Sequence, residues 1–180
     1  MSRLFNQPVE QATGHAAEVF AGIRKAIGMV PNAYAAIGNN SAVALEAALN
    51  LDGALRKSSL SAKDIEAVKL AVSQRAGCDY CLAAHTLAGR KAGIPADSMV
   101  ALRRDEATGD ARTDALVHFV HTLVTTSGTV PEAAVRAVQA AGVTDAQIVD
   151  VLLAVASITF TNLFNRVNDT AVDFPAAPAA

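Results

Sequence analysis

Apolar residues recur at helical spacing in one block after another of this chain. From Thr13 to Ile27 the inward positions are Ala16, Val19, Phe20, Ile23 and Ile27. Gly28 closes that element and Pro31-Asn32 restarts the chain. Ser41 is placed to cap a helix carrying Leu45, Ala48, Leu49, Leu51 and Leu55. Ser61-Ala62-Lys63-Asp64 has the form of a capping box, in which a serine and an acid three residues on satisfy each other's backbone amides. The helix it opens holds Ile65, Val68, Leu70, Ala71 and Val72, and Gly77 is its natural stop. A further helix starts at Cys78 and runs to about Ala92, where Gly93 and Pro95 punctuate it. A short helix follows over 97–103, and then a polar loop through Asp110. Leu116 to Thr126 is helical again, with Val117, Val120, Leu123 and Val124 inward. Pro131 suits the first turn of another helix, which Gly142 ends. Thr144-Asp145-Ala146-Gln147 is a second capping box and opens the last long helix. No run alternates as a strand does, so the pattern predicts an all-α fold. Residues 1–9 read as a loose arm, 1–173 as a single helical domain, and 174–180 as a disordered Pro/Ala tail.

The chain also echoes itself. Ser61–Ser73 lies over Thr144–Ala156, with Ile65, Val68, Leu70, Ala71 and Val72 matching Ile148, Val151, Leu153, Ala154 and Val155. In the second copy Val149 stands for Glu66, Thr161 for Cys78, Phe164 for Cys81 and Asn168 for His85. A duplication would leave one copy with chemistry and the other with packing.

Composition narrows the function classes. The 180 residues suffice for one domain with a core, and the 52 % apolar content is rich in alanine and poor in aromatics, which suits closely packed helices. A net charge of -2 gives no electrostatic reason to bind nucleic acid or an anionic membrane. No opening segment has the signal-peptide pattern, so the expected compartment is the cytoplasm. The longest apolar stretch, Val149 to Phe164, contains Asp150 and reads as a buried helix rather than a membrane span.

The chemistry concentrates in Gly77-Cys78-Asp79-Tyr80-Cys81-Leu82-Ala83-Ala84-His85, which holds the only two cysteines of the chain. Offsets of three and four place Cys78, Cys81 and His85 on one helical stripe. Two thiols able to close into a disulfide, one turn from an imidazole, make a redox centre with a proton acceptor attached. If the helices on either side of Gly77 run antiparallel, the ~1.5 Å rise per residue puts Glu66 ~16 Å from the turn and His85 ~12 Å. Those levels allow a relay of Glu66, His85 and Cys81, direct or through one water. The helix N-terminus, His85 and the second thiol all favour a thiolate over the ordinary thiol, which titrates at roughly 8.5. Tyr80 brings a hydroxyl whose direction the sequence does not give. The simpler readings are a buried pair of small hydrophobes at the cysteines, a core histidine at position 85, and a solvated first-turn acid at position 66. His118 and His121, one turn apart, are separated too far from the cysteines for a compact zinc module. Lys69 and Arg75 read as solvated charges, and Asn165-Arg166 as a cleft cap, an oligomer contact or a polar helix end.

Glu66 followed by Cys78-x-x-Cys81-x-x-x-His85 resembles the signature of alkylhydroperoxidase D-like (AhpD-like) proteins in the carboxymuconolactone decarboxylase superfamily. Gly28-Met29-Val30-Pro31-Asn32 resembles the leading segment of that family. Asn162 to Asp169 resembles the closing segment of its peroxidase-related branch. The resemblance implies an all-helical bundle that assembles as dimers, trimers or hexamers, and thiol-dependent reduction of peroxides. Carried over by position, Cys81 is the peroxidatic thiol, Cys78 resolves its sulfenic acid to a disulfide, and Glu66 and His85 relay the proton. The best-known members carry a second histidine between the cysteines, where this chain has Tyr80. No nucleotide-binding glycine loop and no flavin or haem motif is present, so no cofactor is expected. Reducing power then comes from an external thiol, and the resemblance implies a lipoyl- or thioredoxin-type donor. A lactone-acid decarboxylase and a non-catalytic redox-sensing oligomer are the competing functions. The cysteine pair counts against the first.

Overall fold

The computed structural model describes residues 2–180, and among them every regular element is helical. After a short 3-10 turn at Val9–Gln11 come α1 (Gly14–Ile27), α2 (Asn32–Asn40), α3 (Ala42–Leu55), α4 (Ala62–Ala76), α5 (Asp79–Lys91), α6 (Ala96–Arg103), α7 (Ala111–Thr125), α8 (Glu132–Ala140) and α9 (Asp145–Asn168). The all-α reading holds, and the helix starts agree to within a residue or two, except that α7 begins at Ala111 under an Asp110 cap, five residues ahead of Leu116. Ser41 accepts from the Ala44 amide, and both capping boxes form, at Ser61/Asp64 and Thr144/Gln147. The two echoing segments become α4 and α9.

α4 is the axis of the bundle, and α5, α6, α7 and α9 pack around it. Val68 and Leu70 are fully buried, with Leu116, Val120 and Val151 among their companions in the main core. A smaller cluster of Phe20, Ile23, Ile37 and Leu45 ties α1, α2 and α3 together. Gly89 lets α5 lie close over this core, since a Cβ there would come within 2.9 Å of the Met99 sulfur.

Three expectations meet a different arrangement. α9 is not a wholly buried helix. Val151, Ala154 and Ile158 are buried, but Val149, Leu152, Phe160, Leu163 and Val167 form an exposed apolar stripe. By length and composition α9 is long and apolar enough to cross a membrane; its packed face is part of the core. The arm is tied down, since Ser2 Oγ and the Leu4 amide both donate to Asn168 Oδ1, at 2.8 and 3.0 Å. Residues 174–180 carry no helix, and they lie along the body. Phe174 meets Tyr80 edge to face, and Arg103 donates to the Pro178 carbonyl at 2.7 Å.

Candidate functional site

The chain reverses between α4 and α5 at one residue. Gly77 sits in the left-handed region at φ 60°, and the Gly77 and Cys78 amides return to the Gln74 and Ser73 carbonyls. Arg166 of α9 then caps the end of α4 by donating to the Ala76 and Gly77 carbonyls. A Cβ at Gly77 would meet that guanidinium at 2.8 Å and displace it, and the left-handed backbone itself selects glycine here.

This reversal makes Cys78 the N-cap of α5. Its sulfur accepts from the Cys81 amide at 3.4 Å, and the two free thiols lie 2.8 Å apart. Nineteen residues separate Glu66 and His85 in sequence, and the antiparallel helices bring His85 Nδ1 to 2.7 Å from Glu66 Oε2. The two side chains meet directly, with less than a fifth of each exposed.

The sulfurs look into different spaces. Cys81 lines an inner cavity of about 220 Å³ together with His85, Tyr34, Lys69, Thr161 and Phe174. Cys78 lines an outer, more polar cleft of about 480 Å³ with Asp79, Arg166, Asp169 and Thr170. Asn165 and Tyr80 belong to both walls.

Electrostatics separates the thiols as well. The hydrogen bond with Cys81 and the Cys81 amide hold the Cys78 thiol below its ordinary range, and together they outweigh burial. Cys81 is pushed well up, first by its hydrogen bond with Cys78, then by burial and the Cys78 charge. Asn165, whose Nδ2 donates to Cys81 Sγ at 3.4 Å, and Thr161 oppose that rise without cancelling it. The dithiol therefore loses its first proton as a pair, with the charge resting on Cys78 at the helix N-terminus. Titration followed by thiolate ultraviolet absorbance is expected to show a first step below the ordinary ~8.5 and a second above it. Cys81→Ala removes the partner hydrogen bond, so the remaining Cys78 step moves upward. A wild-type titration with both steps near the ordinary value contradicts this assignment.

Several side chains sit where the sequence did not place them. Tyr80 does not point its hydroxyl at the sulfurs; the hydroxyl accepts from the Ala33 amide at 3.1 Å. Burial pushes its ionisation out of reach, so Tyr80 is a fixed wall rather than a proton donor. Lys69 is not solvated. It is 6 % exposed and pairs with Asp52 Oδ1 at 2.8 Å, and Ser157 Oγ donates to the same oxygen at 2.7 Å. Burial pushes the Asp52 carboxyl up, but Lys69 and Ser157 outweigh burial and hold it below its usual range. Tyr34, beside this pair, is pushed up to about 12 by burial and the Asp52 charge. A lysine three residues after Glu66 looks like an exposed helical charge; only the distant Asp52 and Ser157 reveal otherwise. His118 and His121 turn to separate partners, Asp105 Oδ2 and the Leu102 carbonyl. No metal-binding group of three His, Cys, Asp or Glu side chains occurs among the described residues.

Comparison with known proteins follows the same lines. Residues 42–124, which run from α3 through all but the last residue of α7 and hold Glu66, Cys78, Cys81 and His85, match the carboxymuconolactone decarboxylase family. No curated protein matches the sequence. Among solved structures, the chain is similar to a peroxidase-related protein with an alkylhydroperoxidase AhpD core from Ralstonia eutropha JMP134, at a TM-score of 0.83 and 20 % identity, covering 96 % of this chain and 92 % of that one. A peroxidase-related protein from Silicibacter sp. TM1040 superimposes with a TM-score of 0.78 at 25 % identity, covering 93 % and 90 %. The debrominase Bmp8 shares the architecture at a TM-score of 0.73 and 16 % identity, covering 88 % and 86 %. The stretch that carries the site thus matches the carboxymuconolactone decarboxylase family, and the fold over nearly the whole chain is that of AhpD-like proteins.

Proposed function

We propose that the protein is a thiol-dependent hydroperoxidase in which Cys81 attacks the peroxide, Cys78 resolves the product, and Glu66 and His85 carry the proton. One observation supports this most: a close sulfur pair and a carboxylate–imidazole pair converge where Cys81 and His85 line one small cavity. Cys81 holds its proton tightly, so it needs a base, and His85 is the base on its own wall. The Cys81 sulfur displaces on the peroxide oxygen, the O–O bond breaks, and the departing alkoxide takes a proton to leave as an alcohol. Cys81 is then a sulfenic acid. The Cys78 thiolate attacks that sulfur, water leaves, and a disulfide remains. The two electrons are restored by an external dithiol of lipoyl or thioredoxin type, which meets the disulfide from the outer cleft beside Cys78.

The same fold carries a debrominase, so architecture does not choose the reaction; the site does. A decarboxylase needs no sulfur pair, and here the sulfurs occupy the head of α5. Rapid mixing of the reduced protein with hydrogen peroxide and with an organic hydroperoxide tests the proposal. Sulfenic acid at Cys81, or a Cys78–Cys81 disulfide, is expected in the product; unoxidised cysteines overturn it.

The exposed stripe on α9 is proposed as the seat of a second copy of this chain. Leaving so much apolar surface in water is unfavourable by about 25 cal/mol per Å². Light scattering on a sizing column is expected to show an oligomer, which Leu163→Glu dissociates. A wild-type monomer at high concentration rejects that assembly.

A further inference from the structure

The sulfur chemistry leaves one built feature of the inner cavity unused. Lys69, Asp52 and Ser157 come from α4, α3 and α9 to a common point in its wall. A buried ion pair is weak evidence for stability, since well-packed aliphatic side chains hold such a position as well or better. Lys69 follows Glu66 by three positions on α4, so the ion pair and the proton relay share a helix face. Its ammonium has three N–H donors, and Asp52 Oδ1 takes one. Among the described residues no second acceptor meets it, and Lys69 lines the cavity.

We propose that the Asp52–Lys69–Ser157 cluster anchors the substrate, and that the substrate is a small organic hydroperoxide with a neutral acceptor oxygen, a carbonyl or hydroxyl, away from its peroxide group. This rests on the hydroperoxidase reading and names its substrate class. Three observations lead to it. Beyond the cluster, the sulfur and His85, the wall is mainly apolar, from Ile27, Pro31, Ala33, Ala88 and Ile158 with the Tyr34, Thr161 and Asn165 side chains between them, and suits an alkyl body. The volume of about 220 Å³ lies below the roughly 300–1,000 Å³ of sites for drug-sized ligands, which suits a small substrate. Charge decides the head group. Lys69 is matched by Asp52, and His85 faces Glu66. A carboxylate drawn to Lys69 meets the Asp52 carboxylate beside it, whereas a neutral oxygen takes the N–H without that repulsion. Arg56, near Tyr34, is exposed and not part of the cavity wall, and Tyr34 lines that wall as a neutral phenol.

The test compares two hydroperoxides of equal size, one alkyl and one bearing a ketone, with a small dithiol as reductant. The wild type is expected to favour the ketone-bearing substrate in kcat/KM by about ten- to hundredfold, the scale of a hydrogen bond to a charged group. Lys69→Met alone leaves Asp52 buried and unpaired, so the double variant Asp52→Asn, Lys69→Met is the informative one; it should lose the preference. No preference in the wild type, or a preference that survives in the folded double variant, overturns the anchor. A second arm needs neither turnover nor a variant: a short aliphatic ketone, with no peroxide, is titrated into the wild type while the Lys69 Nζ resonance is followed. A shift supports the anchor even if the protein consumes no peroxide, an outcome that would reject only the hydroperoxidase reading. An unmoved Lys69 resonance at saturating ketone overturns it.

Discussion

Cys81→Ser is expected to remove peroxide reduction altogether, by about four orders of magnitude or more, the scale of losses when an enzyme loses its nucleophile. A serine hydroxyl in the same place has no accessible oxyanion and no sulfur to oxidise. Cys78→Ser should behave differently. The attacking sulfur remains, so one equivalent of peroxide is consumed and Cys81 is left as a sulfenic acid with no partner to close on it. The substitution also removes the ionised Cys78 sulfur, whose hydrogen bond raises Cys81 most and whose charge adds to burial. Cys81 in Cys78→Ser therefore ionises at lower pH than in the wild type, and its single oxidation occurs at less alkaline pH. Mass spectrometry after rapid mixing reads both results. A sulfenic acid on Cys78 in Cys81→Ser, formed at the wild-type rate, reverses the assignment of the two sulfurs. That reversal is a real alternative in physical terms, because the resting charge sits on Cys78. The assignment to Cys81 stands on its place in the cavity beside His85, while Cys78 faces the outer cleft.

The Glu66–His85 contact was legible in the sequence because it depends on local rules. Gly77 forces a reversal, the rise per residue is the same in both helices, and so Glu66 and His85 arrive at one level. The caps at Ser41, Ser61 and Thr144 were readable for the same reason: partners three residues apart find each other in any fold. What failed to show was everything that depends on which distant segments meet. Lys69 looks solvated until α3 brings Asp52 and α9 brings Ser157. Tyr80 has no direction until the Ala33 amide takes its hydroxyl as an acceptor. Asn165 was read with Arg166 as one polar unit, yet they divide: Asn165 reaches the Cys81 sulfur and Arg166 caps α4. The apolar run in α9 predicted burial, but hydropathy does not say which face packs. One face packs on the core, and Val149, Leu152, Phe160, Leu163 and Val167 on the other stay exposed.

Glu66→Gln separates charge from geometry in the relay, and its effect should be the second largest. With Nδ1 held by the carboxylate, the imidazole keeps its proton there and leaves Nε2 bare to receive another. Glutamine can accept the same hydrogen bond through its amide oxygen, so the ring stays oriented. It carries no charge to stabilise the imidazolium that forms when His85 takes the Cys81 proton. Base catalysis of this kind contributes about 10²- to 10⁴-fold. His85→Asn is expected to lose that whole range at neutral pH, and Glu66→Gln to lose the lower part of it. The double variant should be no slower than His85→Asn, because without the imidazole the carboxylate has nothing to stabilise. The pH dependence gives the sign. Cys81 is raised, so at neutral pH it is a thiol that needs a base; as pH climbs toward its own ionisation, solvent hydroxide does the same work. The deficit of both variants in the rate of Cys81 oxidation should therefore shrink with rising pH, while the Cys81→Ser deficit does not. Losses that multiply in the double variant, or that hold constant across pH, would show Glu66 and His85 acting as independent structural supports and not as one proton carrier.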